Sequence, residues 1–398
     1  MRRDELVEEA AALGRRFATR AAKFDSEAGF PYEDFADLRD ARFLGLCVPT
    51  EYGGLGASFA DYCRVSNELG RHAPATALTF NMHCVTMLLV GQIASDLHWS
   101  AAESATLQAR RAHLYTGVVE RGSLHAQPFS EGNAPGATAG IQTVAEPVDG
   151  GFLVTGRKIF ASLSEAADLH NIVALSPGDD RVRFLGVPAG ADGLRIEGDW
   201  DPLGMRATLS RNLVFDRVFV PQENEWLPRG GFDQAATRWP HFYLTLSFTY
   251  VGLMRGVLDA TQEYLLRSGR QAHPIKQHGW AEMQVIYEQA RALQHAVVDE
   301  AGTDPEPDSL RRAWAAMVAV MEGAPQMASL ALRVGGGRAL LKPEPLERMY
   351  RDARCGATMF SKSSVFIRIS SAAPGTTGGC AGRPGPCRRA APGSTGRA

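Results

Sequence analysis

Apolar residues recur at helical spacing in the first part of the chain. Leu6, Ala10, Leu13 and Phe17 are three or four residues apart, which places them on one face of a helix. Helical spacing resumes after a glycine-rich turn and continues to about residue 113. The pattern therefore predicts an N-terminal helical domain over residues 1–113.

The hydrophobic period changes to two in the middle of the chain. Short runs rich in β-branched and aromatic residues lie at 152–155, 171–175 and 183–187, with turn residues such as Gly-Gly and Pro-Gly between them. Several short strands at this spacing are typical of a compact barrel or sandwich. We expect a central β-barrel domain over residues 114–226.

The helical period returns in the last part of the chain. Leu253, Val257 and Tyr264 share one face of a predicted helix, and further helices follow, one of them interrupted at 323–325 by Gly-Ala-Pro. This pattern predicts a C-terminal helical domain over residues 227–360. The fold class is therefore α+β, with helices on both sides of a β domain in the chain order.

The composition separates a C-terminal tail from the rest. Residues 361–398 contain six Lys or Arg, seven Gly, four Pro and no Asp or Glu. We expect this tail to be disordered or loosely attached, because it has no useful hydrophobic periodicity. The whole chain has 398 residues and a net charge of -2, which gives no reason to expect binding to nucleic acid.

Several other classes of protein are disfavoured by the sequence. No apolar run reaches the roughly 18 residues that a membrane helix needs, so no membrane span is expected. The N-terminal residues are charged and lack an apolar signal core, which predicts a cytoplasmic protein. Six cysteines without Cys-x-x-Cys spacing give no disulfide framework, and we expect no metal site.

Four short stretches carry a family resemblance. They are VPTEYGGLG at 48–56, GRKIFAS at 156–162, LGMRAT at 203–208, and a C-terminal block with Gly-Gly at 336–337 and RDAR at 351–354. In this order they resemble the acyl-CoA dehydrogenase family of flavoproteins, over about residues 1–356. The resemblance implies an N-terminal helical domain, a central β-barrel and a C-terminal four-helix bundle, assembled as a homodimer or homotetramer.

The resemblance also implies a site for FAD between the barrel and the C-terminal helices. Phe129 and Ser130 occupy positions where the family presents backbone and a hydroxyl group to the flavin. Phe160, Ala161 and Ser162 occupy the stretch that packs on the ring, where an aromatic side chain covers apolar surface and a hydroxyl group can bond near ring nitrogen N5.

A second group of cofactor contacts is only partly retained. In the family, a neighbouring subunit supplies an Arg to the FAD diphosphate and a Gln and two Gly to the adenosine end. Gly336 and Gly337 remain, and Arg333 stands at the position of the Gln. The family's Arg-x-x-Phe-Gly stretch is not recognisable here, although Arg267 or Arg270 could serve a diphosphate.

The family's catalytic base is missing. Acyl-CoA dehydrogenation needs a carboxylate to remove the α-proton while the flavin takes the β-hydride. The family places this Glu either six residues after the RDAR block, which is Phe360 here, or on a C-terminal-domain helix, which is Phe242 here. His241 is the nearest titratable candidate for a base, although a lone His is more often structural.

The leading interpretation is an FAD-dependent oxidoreductase of the acyl-CoA dehydrogenase type. Its substrate would be an acyl thioester, on CoA or on a carrier protein, or a related small molecule. The sequence does not identify the electron acceptor or a flavin reductase.

Other interpretations stay open. A flavin-dependent monooxygenase of the same fold would need no Glu at that site. A non-catalytic flavin-fold protein would also explain the altered motifs. Finally, the change of composition after Met359 has the form expected of a shifted reading frame, in which case the original base would be absent from this chain.

Overall fold

The first part of the protein is helical. The computed structural model describes residues 2–132 and 140–359. The helices before residue 122 are α1 (Arg3–Ala18), α2 (Ala21–Glu27), α3 (Tyr32–Asp40), α4 (Phe59–His72), α5 (Pro74–Leu88) and α6 (Ala101–Arg121). Capping boxes start α4 and α6, where the hydroxyl groups of Ser58 and Ser100 accept hydrogen bonds from the backbone of the first turn.

The middle part forms two sheets. Its strands are β1 (His125–Ala126), β2 (Val144–Val148), β3 (Gly151–Ala161), β4 (Leu169–Ala174), β5 (Arg183–Pro188), β6 (Leu194–Glu197) and β7 (Arg211–Pro221). One sheet has the order β1-β4-β5 and the other the order β2-β3-β7-β6. Ile172 and Leu185 from the first sheet share a core with Phe152 and Phe215 from the second, so the expected barrel consists of two sheets closed around one interior.

The last part is helical again. After α7 (Gly231–Arg238), the long helices are α8 (Thr245–Arg267), α9 (Pro274–Glu300), α10 (Pro307–Gly335) and α11 (Pro345–Met359). These four helices pack around a core that includes Met254, Met283 and Met317. They form the four-helix bundle that the family resemblance implies, and the α+β fold is confirmed.

Two boundaries differ from the sequence-based expectation. Helix α6 runs to Arg121, eight residues past the expected end at 113, because Leu114 and Val118 continue its buried face. Helix α10 is continuous through Pro325, where the sequence predicts an interruption. Pro325 itself is buried, and the apolar contacts on both sides of it hold the helix together.

Two helices of the described residues are long and apolar enough to cross a membrane. In Pro74–Ile93 89% of the apolar window is buried inside the protein, and in Pro307–Gly335 50% is buried. The first helix contributes to the core of the N-terminal domain and the second to the core of the bundle, which is the ordinary place for apolar helices in a globular domain. The tail at 361–398 lies outside the described residues.

Candidate functional site

The end of strand β3 presents an aromatic ring to the surface. Phe160 is 65% exposed, although Lys158 and Ala161 in the same strand are fully buried. Its φ is +51°, in the left-handed region, and the β3–β7 register shifts between Lys158 and Ala161. A bulky residue in this conformation is strained, and such strain is concentrated at functional sites.

The segment with Phe129 and Ser130 lies directly beside this turn. The backbone N–H of Ile159 donates to the carbonyl oxygen of Ser130 over 2.8 Å. The Phe129 ring faces the other way, in edge contact with Phe184 and Phe232. The structure therefore brings Ser130 and the end of β3 together, and the partly buried Phe129 ring packs into the core.

A buried ion pair fixes these two segments to each other. Lys158 is fully buried, and its ammonium group donates to Glu131 and, over 2.8 Å, to the carbonyl oxygen of Val173. Glu131 also accepts from the backbone N–H of Gln142 (2.6 Å) and from the hydroxyl group of Thr143 (2.7 Å). Burial raises the pKa of Glu131, but these hydrogen bonds more than offset burial, so the carboxyl pKa lies below its usual value.

The two residues after Phe160 have different surroundings. The side chain of Ala161 is fully buried in the β core, so only its backbone is available to a ligand. Ser162 is half-buried, and its hydroxyl oxygen is 2.8 Å from that of Ser210. The Ser210 oxygen is in turn 2.7 Å from the hydroxyl oxygen of Thr208. Three hydroxyl groups thus form a chain that starts beside the exposed ring.

The loop that carries Thr208 and Ser210 is held by helix α11. The Asp352 carboxylate accepts from the backbone N–H of Met205 over 2.6 Å, and burial raises the pKa of Asp352 to about 6. A Cβ added to Gly204 would lie 2.3 Å from the backbone of Arg351, so only glycine permits this contact. The Arg351 guanidinium group pairs with Asp25, which joins the bundle to the N-terminal domain.

Both positions considered for a base on the described residues are buried in the chain. Phe242 is 3% exposed, and its ring packs against Phe232 and Tyr243. His241 is fully buried, and burial lowers its pKa more than an interaction with the Gly302 backbone raises it. A substrate therefore cannot reach His241 without local rearrangement. Phe360 lies outside the described residues.

The second group of predicted cofactor contacts lies elsewhere. Arg333 is exposed in the last turn of α10, and Gly336 and Gly337 follow it at the end of the bundle. A Cβ added at either glycine would meet no atom within 4 Å, so this backbone is open to another molecule. Within one chain these residues belong to the bundle, whereas Ser130 and Phe160 belong to the β domain.

A network of buried histidines lies where the N-terminal helices meet strands β1 and β4. His83 donates from Nε2 to the carbonyl oxygen of Leu44 (2.7 Å) and accepts at Nδ1 from the backbone N–H of His125 (3.2 Å). Because Nδ1 accepts a hydrogen bond, the ring is neutral, with its proton on Nε2. His170 is fully buried beside them, and neither of its ring nitrogens has a partner. Burial lowers the pKa of His83 and of His170 to about 4, and that of His125 to about 3.

This network makes stability depend on pH. A buried neutral His has a lower pKa in the folded than in the unfolded state, so the unfolded state binds its proton first as the pH falls. Each such His therefore lowers the free energy of unfolding by about 1.4 kcal/mol per pH unit, from about pH 6.5 down to its folded pKa. The free energy of unfolding of His170→Leu minus that of wild type should therefore be about 2–3 kcal/mol larger at pH 4.5 than at pH 7.5. Urea unfolding at several pH values measures this difference.

The matched control for that variant is His278→Leu, because the His278 side chain is 78% exposed. It should show no comparable change with pH. The two buried carboxylates whose pKa is raised to about 6, Asp34 and Asp352, act in the opposite direction, so the comparison is made between variants. A pH-independent difference between wild type and His170→Leu would contradict the assignment of His170 as a buried neutral residue.

Sequence reasoning missed two features of this site. Thr208 ends the LGMRAT motif and Ser210 follows it, but the sequence predicts no role for their hydroxyl groups. The buried pair of Glu131 and Lys158 was also missed, and a Lys between the strand residues of GRKIFAS was its only signal. Among the described residues, no group of three or more His, Cys, Asp or Glu is arranged to hold a metal ion.

The arrangement fits a flat, partly apolar ligand with polar edges. The exposed Phe160 ring, the half-buried Ser162 and the exposed Ser130 are joined through the end of β3 and the Ile159–Ser130 hydrogen bond. An isoalloxazine ring has this character, since its faces are apolar and its edges carry hydrogen-bonding atoms.

Comparisons with known proteins agree with this fit. Family models described as the N-terminal, middle and C-terminal domains of acyl-CoA dehydrogenase match residues 3–96, 126–218 and 229–369. The match thus continues 13 residues beyond the part that resembles the family by its motifs.

Two curated relatives and one solved structure illustrate the range of similar proteins. The chain is 26% identical over 366 residues to the putative acyl-CoA dehydrogenase YdbM of Bacillus subtilis, covering 88% of this chain and 91% of that protein. It is 27% identical over 369 residues to L-evernosamine nitrososynthase of Micromonospora, covering 88% and 85%. The structure of KijD3 in complex with FMN and a dTDP-linked amino keto sugar superimposes with a TM-score of 0.82 at 23% identity, covering 94% of each chain.

Proposed function

This chain belongs to the acyl-CoA dehydrogenase family of flavin-dependent oxidoreductases, and we propose that it acts as a monooxygenase on a small organic molecule. In such a reaction one oxygen atom of O₂ enters the substrate and the other leaves as water. A bound reduced flavin supplies the two electrons. No carboxylate base is needed to remove a proton from the substrate carbon.

The observation that carries this proposal is the environment of Phe242. The family's alternative position for the base is here a phenyl ring, buried at 3% exposure against Phe232 and Tyr243. Other carboxylates near the flavin-facing segments are already committed. Glu131 is bound by Lys158, and Glu165 pairs with Arg211. Within residues 2–132 and 140–359, an apolar ring at this position and paired carboxylates near the flavin-facing segments favour chemistry that does not begin with proton abstraction.

The flavin itself is held, in this proposal, by the β domain. The ring of Phe160 would cover one apolar face, Ser162 would bond to the ring edge, and the backbone at Phe129 and Ser130 would bond to the pyrimidine side. Ala161 would take part through its backbone alone. These assignments rest on the family resemblance together with the exposure and hydrogen bonds described above.

Other residues bear on whether the flavin is FAD or FMN. The sequence predicts FAD, whose adenosine end would lie against Arg333, Gly336 and Gly337 of a neighbouring subunit. The loss of the Arg-x-x-Phe-Gly stretch and of the Gln favours FMN, which has no adenosine. The FMN complex of KijD3 supports the same choice. We therefore propose FMN, with FAD as the alternative.

A second candidate function is the oxidation of an acyl thioester, as the sequence analysis first favoured. The similarity to the putative acyl-CoA dehydrogenase YdbM supports it. The two positions where the family places its carboxylate base are Phe242 and Phe360 here, which argues against acyl thioester oxidation. The nitrososynthase relative and the amino sugar bound to KijD3 point instead to an amino-group-bearing substrate.

We propose that the protein is a cytoplasmic homodimer or homotetramer. The end of the bundle around Gly336 and Gly337 carries exposed apolar side chains, among them Ile275, Leu340 and Leu341. A neighbouring subunit would cover them. The four cysteines of the described residues are unpaired, as is usual in a reducing compartment.

Oxygen transfer from ¹⁸O₂ tests the proposed function. The protein is loaded anaerobically with dithionite-reduced FMN or FAD and mixed with ¹⁸O₂ and one compound from a panel: a nucleotide-linked amino sugar, indole or an acyl-CoA. We expect ¹⁸O in the product of at least one compound other than acyl-CoA, detected by mass spectrometry. Flavin binding without labelled product from any of them would favour the non-catalytic interpretation.

The matched variants for this experiment are Phe160→Ala and Phe219→Ala, because both rings are exposed on the same domain, at 65% and 46%. Loss of the Phe160 ring should weaken flavin binding roughly 3- to 10-fold, the size of an aromatic contact. Loss of the Phe219 ring should leave flavin binding unchanged.

A further inference from the structure

The chain of hydroxyl groups beside Phe160 has an unusual setting. It runs from half-buried Ser162 through Ser210, which is 6% exposed, to Thr208, which is 2% exposed. Its two links measure 2.8 Å and 2.7 Å between oxygens. Leu163 and Leu209, which flank it, both have positive φ, at +62° and +45°. The backbone on both sides is therefore held in strained conformations that place these hydroxyl groups in line.

Nearby Ser164 provides a contrast. Its hydroxyl group donates to the carbonyl oxygen of Leu209 over 2.8 Å, so its proton has one fixed direction. The hydroxyl groups of Ser162 and Ser210 point instead at other hydroxyl groups. Each hydroxyl group can donate one hydrogen bond and accept two, so the direction of donation along this chain can reverse.

Reversal matters because the two redox states of flavin differ at N5. Oxidised flavin has a bare nitrogen there, which accepts a hydrogen bond. Reduced flavin carries N5–H, which donates one. When Ser162 accepts from N5–H, its own proton needs another acceptor, and the oxygen of Ser210 lies 2.8 Å away.

We propose that Ser210 and Thr208 are positioning residues that let Ser162 recognise reduced flavin. This inference rests on the proposed function, in that it requires a flavin beside Phe160. It adds that the hydroxyl chain lets the protein bind the reduced form of the cofactor without an unpaired donor, as an enzyme that receives reduced flavin from a separate reductase requires. In the reduced state Ser210 accepts a hydrogen bond from the Ser162 hydroxyl group, and Thr208 extends the chain into the buried interior.

The effect of losing Ser210 is therefore asymmetric. Without it, the half-buried Ser162 hydroxyl group loses its acceptor within the protein when N5–H donates, and a donor that the bound flavin covers and that has no partner is costly. When Ser162 donates to oxidised flavin, only a lone pair loses its partner, which costs much less. The change should fall mainly on the affinity for the reduced cofactor.

Equilibrium binding of oxidised and dithionite-reduced FMN, measured anaerobically by calorimetry, tests this inference. In Ser210→Ala we expect affinity for reduced FMN to fall about 5- to 100-fold, with less than about 3-fold change for oxidised FMN. Ser210→Thr keeps a hydroxyl group and should restore most of the difference. Thr208→Val should shift the ratio in the same direction, which guards against a folding defect in one variant.

Ser164→Ala is the matched control. Ser164 is buried two residues after Ser162, and its hydroxyl group is not part of the hydroxyl chain. It should leave the ratio of the two affinities unchanged even where it lowers Tm. Equal weakening of both flavin forms in Ser210→Ala and Thr208→Val would overturn the inference while leaving the proposed function in place. Failure of wild type to bind either FMN or FAD would instead overturn the proposed function.

Discussion

Straight-chain acyl-CoA thioesters should leave the flavin bound to this protein oxidised. Dehydrogenation requires a base at the α-carbon, and loss of a general base typically slows such a step by about 10²- to 10⁴-fold, or more where proton removal is obligatory. Here the two family positions are Phe360 and Phe242, and the latter is buried among aromatic rings. Anaerobic mixing with a series of acyl-CoA chain lengths, followed at the flavin absorption band, measures the rate of reduction.

The control is dithionite, which must bleach the same band and so show that the flavin can be reduced. Rapid bleaching by any acyl-CoA would contradict the prediction and would require a base that becomes accessible. His241→Gln would then show whether that base is His241. Phe360→Glu is the complementary variant, because bleaching in it alone would show that residue 360 occupies the family's position at the flavin.

The helical and strand-rich parts of the fold could be predicted from the sequence because their signals are local. Leu6, Ala10, Leu13 and Phe17 all became buried on one face of α1, as their spacing predicts. The motif around Phe160 could be identified because short blocks of sequence carry the family resemblance.

The arrangement of the site could not be predicted in the same way, because its contacts join distant residues. Ser162 and Ser210 are 48 positions apart, and only the β3–β7 pairing and the loop before β7 bring their oxygens together. The same limit applies to His241. Its sequence neighbourhood suggests a candidate base, and only tertiary packing shows that its ring is fully buried.

The middle of α10 shows a different limit. Gly-Ala-Pro at 323–325 is a local signal for a helix break, yet α10 continues. Its buried face, including Met321 and Met327, contributes apolar contacts over nearly the whole length of the helix. Packing summed over many residues outweighs the roughly 3 kcal/mol that one internal Pro costs.

The ion pair of Lys158 and Glu131 is where folding and function are most tightly joined. It connects β3 to the segment that carries Ser130, and Glu131 in turn fixes the start of the next segment at Gln142 and Thr143. The side chains of Lys158 and Glu131 are 0% and 5% exposed. Removing one partner would leave the other charge buried without compensation, which is far more costly than losing a surface pair.

Lys158→Met should therefore lower the free energy of unfolding by about 3–5 kcal/mol, because it leaves the Glu131 carboxylate buried without its cation. Adding Glu131→Gln removes the uncompensated charge and keeps an amide oxygen for the N–H of Gln142, so the double variant should be more stable than the sum of the two single changes predicts. Arg217→Met is the matched control, since its pair with Glu146 is exposed on both sides, at 64% and 54%, and should cost less than about 1 kcal/mol. Urea unfolding of wild type, Lys158→Met, Glu131→Gln and the double variant gives the coupling energy. Additive costs in the double variant would mean that the two side chains stabilise the fold separately, and that the position of Ser130 beside Phe160 is set by the Ile159 hydrogen bond rather than by this pair.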